Sequence, residues 1–158
     1  MPELTRRHFL RSTTAGAAII AGTMATGRVW GANDRIQVAV AGVNGRGGAH
    51  ISGFGKNPGS EVVALCDADK GILDRVADET RQELGKRVKK VQDVRDLLDN
   101  KNIDVLSIAT PNHWHSLMAI WAVQAGKDVY VEKPLSHNIY EGRQLANLVA
   151  KSDRIVQH

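Results

Sequence analysis

An apolar run ending at Ala41 is followed by Gly42-Val43-Asn44-Gly45-Arg46-Gly47-Gly48, which leads into a helical pattern carrying His50 and Phe54. Bare backbone at such a place lets an anion approach. Glycines permit the tight turn, and the amides and dipole at a helix start favour negative charge. Gly42 and Gly47 occupy the first and third positions of the dinucleotide fingerprint, while Asn44 stands at the second, a departure from the usual pattern. Asparagine tolerates positive backbone torsion better than most residues, although its side chain takes space that glycine would leave to the phosphates. Gly45 and Arg46 complete the loop. The next apolar run ends at Cys66-Asp67, and Asp67 lies 20 residues beyond Gly47. A carboxylate at that spacing accepts hydrogen bonds from adenosine ribose hydroxyls and repels a 2′-phosphate. Loop and acid together predict a dinucleotide site that favours NAD, with NADP left open.

Positioning these groups requires strands that end where the loops begin. Short apolar runs at Ile36 to Ala41, Val62 to Cys66, Val105 to Ala109 and Val129 to Val131, with a further start at Ile155-Val156, read as buried parallel strands. Helical patterns alternate with them. Gly71 to Leu84 places Ile72, Val76, Ala77, Thr80 and Leu84 at helical spacing, and a second helix from about Trp114 to Ala125 is closed by Gly126 in a left-handed position. A third is expected over Ile139 to Lys151, entered through Asn138 with Glu141 three residues on, close to a capping box. This order predicts an α/β fold, a doubly wound parallel sheet with right-handed crossovers and ligands beyond the carboxyl ends of the strands.

Two more segments fall at such ends: Thr110-Pro111-Asn112-His113-Trp114-His115 and Glu132-Lys133-Pro134. With the Gly42 loop and the Cys66-Asp67 strand end, they closely resemble the Gfo/Idh/MocA oxidoreductase family, over essentially all of residues 34–158. The resemblance implies a Rossmann-type NAD(P)-binding domain. It implies that Thr110, Pro111 and Asn112 pass the cofactor's ribose and diphosphate, and that His115 starts the following helix. It implies further that Glu132 contacts the nicotinamide ribose and that Lys133, the catalytic candidate, faces nicotinamide and substrate. A lysine there can hydrogen-bond a substrate hydroxyl and stabilise negative charge developing on its oxygen. The substrate class implied is a sugar or polyol. The alternatives are a NAD-dependent glycosidase that oxidises its sugar transiently, and a nucleotide-binding module without catalysis. In the family a second α+β domain supplies the substrate pocket and the general acid/base. This chain is expected to stop in the sixth strand, before that domain, with little turnover of its own; His158 is not assigned the acid/base role.

At 158 residues, 42% hydrophobic and 24% charged, the composition suits one ordinary globular domain. The net charge of +4 is spread along the chain, dense only near Arg6-Arg7 and over Lys86 to Lys90, so no nucleic-acid partner is expected. His113 and His115 lack a carboxylate or cysteine partner at ligand spacing, so no metal is expected; Trp114 and Trp121 are read as packing. The one cysteine, Cys66, has no partner for a disulfide and reads as a small core residue. Arg6-Arg7 ahead of Phe9-Leu10 and the weakly apolar Ala15 to Ala25 resemble a twin-arginine export signal over residues 1–32, too short and too polar for a stable membrane span. A disordered basic amino terminus is the alternative. Export would place residues 33–158, the cofactor domain, in the periplasm, and association into a homo-oligomer is left open.

Overall fold

The structure, a computed structural model, describes residues 35–158; the expected export segment lies outside the described residues. Strand β1 (Ile36–Ala41) is the hydrophobic axis. Val38 and Val40 point to one face and Ala39 and Ala41 to the other, each fully buried, as a pleated strand covered on both sides requires. Helix α1 (Arg46–Lys56) returns the chain over the valine face to β2 (Ser60–Cys66), which runs parallel to β1. The pairing shifts by one residue after Val38, so Val62 meets Val38 while Ala64 meets Ala39. Helix α2 (Lys70–Leu84) packs Leu73, Val76 and Ala77 on the same face. It starts one residue before the expected Gly71, because Asp69 accepts hydrogen bonds from the amides of Gly71 and Ile72 and so caps the first turn.

Short β3 (Lys89–Val91) and α3 (Arg95–Leu98) follow, neither of them named among the expected elements. Then come β4 (Val105–Ile108), a 3-10 turn (Asn112–Trp114), α4 (His115–Gln124), β5 (Asp128–Val131), α5 (Ile139–Val149) and β6 (Val156–Gln157). All pairings are parallel, in the order β3-β2-β1-β4-β5-β6. That is the doubly wound order predicted, and its reversal lies between β1 and β4. The second face gathers Leu106, Ile108, Val129 and Val131 from the strands with Ala119, Ala122, Val123 and Leu145 from α4 and α5. Cys66 is buried there as expected.

The local signals are met with small differences. Gly126 has φ +76, as its place after α4 demands. Asn138 Oδ1 accepts from the Glu141 amide, but the Glu141 carboxylate returns to the Asn138 side-chain amide rather than to its backbone. Helix α5 ends at Val149, two residues short of the expected end, and α4 is preceded by the 3-10 turn that takes up Trp114. Among the described residues no helix is long and apolar enough to cross a membrane, and no group of three or more metal-ligating side chains is placed to hold an ion.

Candidate cofactor site

Glycine geometry fixes the first loop. Gly42 has φ +79, and a Cβ on it would stand 2.6 Å from the Ala109 carbonyl carbon and the Thr110 amide nitrogen. A Cβ on Gly47 would stand 1.9 Å from the Gly42 carbonyl oxygen. The ends of β1 and β4 and the start of α1 therefore converge on bare backbone, a cradle that any side chain would fill. The positive torsion in the loop that an asparagine would tolerate is taken by Gly45, at φ +74; no described residue other than glycine has positive φ. Asn44 itself is exposed, and Gly45 enters α1 without any side-chain cap on the first-turn amides. The Gly48 amide turns back to the Gly45 carbonyl at 3.1 Å, and the opening amides ahead of it are the kind a helix leaves for an anion.

Two clefts flank this cradle. The first, of about 530 Å³, is lined by Gly42, Asp67, Asp93, Thr110, Pro111 and Trp114 among others. Asp67 is fixed there by the Val43 amide, which donates to its Oδ2 at 3.0 Å, and by the Asp69 amide, which donates to Oδ1 at 3.1 Å. Each oxygen keeps a lone pair for a ribose hydroxyl, and the Asp67 carboxylate is hostile to a phosphate, while Arg95 on the same wall is paired with Asp93. The expectation that both tryptophans pack holds for Trp121, which lies against the core, but not for Trp114. Trp114 ends the 3-10 turn outside the buried stripe of α4 and is 40% exposed on the cleft wall.

The second cleft, of about 540 Å³, is lined by Arg46, Ala109, Thr110, Asn112, His115, Glu132 and Lys133. Thr110 walls both, so the two clefts adjoin across the switch point. Buried His115 stitches the two later loops together, its ring nitrogens 2.7 Å from the carbonyl oxygens of Thr110 and Pro134. Ser116 adds a hydroxyl bond to the Leu135 carbonyl at 3.2 Å, and the Lys133–Pro134 peptide bond is cis. Arg46 donates from Nε to Glu132 Oε1 at 2.6 Å, and His50 contacts the same oxygen at 3.0 Å. These two bonds, the arginine's first, hold the Glu132 carboxyl down to about 2, so it is ionised throughout the physiological range. Lys133 is exposed, and its ammonium makes no hydrogen bond or ion pair among the described residues. The structure thus gathers Gly42, Asp67, Thr110 and Pro111 round one cleft and Arg46, Asn112, His115, Glu132 and Lys133 round the other. His50 was not singled out by its sequence position.

Comparisons with known proteins agree with this geometry. A family model described as an oxidoreductase family with an NAD-binding Rossmann fold, GFO_IDH_MocA, matches residues 36–158. A glycosyl hydrolase family 109 protein of Shewanella pealeana is 32% identical over an alignment 174 residues long, gaps included; the match covers 96% of this chain and 38% of the relative. Among solved structures, myo-inositol 2-dehydrogenase of Lactobacillus plantarum aligns with TM-score 0.70 and 28% identity, covering 78% of this chain and 36% of that one. GenD2 of gentamicin A biosynthesis, in complex with NAD, aligns with TM-score 0.70 and 26% identity, covering 83% and 36%. The chain spans well under half the length of these relatives.

Proposed function

Because this chain belongs to the Gfo/Idh/MocA oxidoreductase family with its NAD-binding Rossmann fold, we propose that it is the cofactor domain of an enzyme moving hydride between NAD and a secondary alcohol of a sugar or polyol. The observation that carries the reading is the pair of clefts joined at Thr110 across a glycine cradle, one faced by Asp67 and the other by Glu132 and Lys133. Bound NAD or NADP would supply the hydride acceptor. Asp67 would hold the adenosine ribose, the α1 start and Gly42 loop the diphosphate, and Thr110, Pro111 and Asn112 the passage between clefts. Glu132 would hold the nicotinamide ribose. Lys133, exposed and unpaired beside it, would donate a hydrogen bond to the substrate oxygen as charge develops there. Catalysis needs a substrate held against these groups, and proximity alone is worth orders of magnitude in rate. A substrate domain outside residues 33–158 would supply that pocket.

A second reading is favoured by the relatives named as glycosyl hydrolase family 109 proteins. In it the same residues serve a transient oxidation that is reversed in each turnover, so that sugar is released without net NADH. The Arg6-Arg7 signal supports export through the twin-arginine route to the periplasm.

The test is calorimetric titration of the chain with NAD and NADP. NAD should bind the more tightly. Asp67→Ala should weaken NAD by about tenfold, as expected for loss of hydrogen bonds to a charged acceptor, and narrow the gap between the two nucleotides. A folded chain that binds neither nucleotide would refute the cofactor reading.

A further inference from the structure

We propose that His50 is a positioning residue that aims the Glu132 carboxylate at the cofactor, itself aligned from behind by Ser107. The inference rests on the reading of Glu132 as the acid that holds the nicotinamide ribose. His50 lies on α1 three residues after Gly47, on the buried side. Its Nδ1 is 2.8 Å from Ser107 Oγ on β4 and its Nε2 is 3.0 Å from Glu132 Oε1 just past β5. The ring also meets Tyr130 edge-on, centroids 5.3 Å apart. One helix and two strands therefore fix its plane.

Serine, histidine and carboxylate in a line have the connectivity of a nucleophilic triad, but here the ends are reversed. Ser107 is fully buried, while Glu132 opens on the second cleft. A nucleophile must meet its substrate, so Ser107 is not one. The line runs outward instead. An ionised carboxylate only accepts, so His50 donates from Nε2; in the neutral ring Nδ1 then accepts the Ser107 hydroxyl proton. Every polar atom of the relay is then satisfied, which a buried hydroxyl and imidazole both require. Glu132 Oε1 is engaged by His50 and Arg46, and among the described residues Oε2 receives only the Lys133 amide, at 3.3 Å. The Arg46 side chain is 66% exposed and that of His50 only 4%, so the hold on the acid that is built into the core is the imidazole's.

The experiment compares NAD with ADP, which carries the adenosine and diphosphate but not the nicotinamide ribose, on the full chain. His50→Ala should weaken NAD about tenfold, equivalent to about 1.4 kcal/mol, and leave ADP within about twofold. His50→Gln, which keeps a donor towards Glu132, should recover most of the loss. Ser107→Ala, with the ring present but unanchored, should weaken NAD about threefold and spare ADP; it also serves if His50→Ala does not fold. Equal losses of NAD and ADP in the folded variants, or no loss of NAD, would overturn the positioning role while the cofactor site stands. A wild-type chain that binds ADP but gains nothing from the nicotinamide half would overturn the role of Glu132 and of His50 together.

Discussion

Gly47 and Gly48 are neighbours in the first turn of α1, yet alanine should act on them in opposite directions. At Gly47 the new Cβ would stand 1.9 Å from the Gly42 carbonyl oxygen and 2.9 Å from its carbon. Relief needs about 1 Å of backbone movement, because the obstacle is main chain and not a rotatable side chain. Gly42 is itself pinned, its amide bonded to the Cys66 carbonyl at 2.8 Å and its φ positive. Overpacking costs about 1–3 kcal/mol where side chains can adjust; against fixed backbone the upper end, about 3 kcal/mol, applies. At roughly 3–4 °C per kcal/mol for a domain of this size, the melting temperature should fall by about 10 °C. Gly48→Ala meets nothing within 4 Å, and removing a helical glycine gains at most about 0.5–1 kcal/mol, a rise of about 2–4 °C. Circular-dichroism melts of the two variants beside the wild type decide the matter. A Gly47→Ala chain melting within about 2 °C of wild type, or equal shifts in both, would refute the close packing of loop on helix.

The pH dependence of stability should carry the mark of Glu132. Its carboxyl ordinarily titrates near 4.5 and is held down to about 2 by Arg46 and His50. A depressed folded value means a contribution fully present above the ordinary value and lost as pH falls towards 2. Melting curves from pH 5 to pH 2 should therefore fall less steeply for Glu132→Gln than for wild type, and parallel curves would speak against the network. Cys66 should be inert in the native state. Burial first, then the charges of Asp67, Asp93 and Asp96, push its thiol up to about 12. At pH 8 a disulfide reagent should modify it only as fast as the chain unfolds; rapid stoichiometric reaction in native buffer would show that face of β2 to be open.

The loops were legible in the sequence because each follows a run apolar enough to be a buried strand. A doubly wound sheet brings all such ends to one edge, so order along the chain became adjacency in space. Gly42, Asp67, Thr110 and Glu132 needed no contact information to be assembled. What escaped was short or weakly patterned. In β3 only Val91 is buried while Lys89 and Lys90 are exposed, and α3 is a single turn; neither offers a period to read.

His50 is the more instructive omission, since its partners lie 57 and 82 residues away. No local spacing rule reaches so far. A different signal was present. Gly47, His50, Ile51 and Phe54 share one helical stripe, and Val105-Leu106-Ser107-Ile108 is a strand buried on both faces. Each holds one polar side chain where the pattern demands an apolar one. Buried polar groups must find partners, so two such exceptions on elements that pack together point to each other. Their bond alone would be a structural detail. The imidazole has a second nitrogen, however, and it meets the charged acceptor Glu132 at the end of β5 at 3.0 Å. Polar residues in apolar registers thus lead from the core to the cofactor site, where the strand that carries Ser107 meets Glu132 twice, at the main chain through the Ile108 carbonyl, which accepts the Glu132 amide at 2.9 Å, and at the carboxylate through His50.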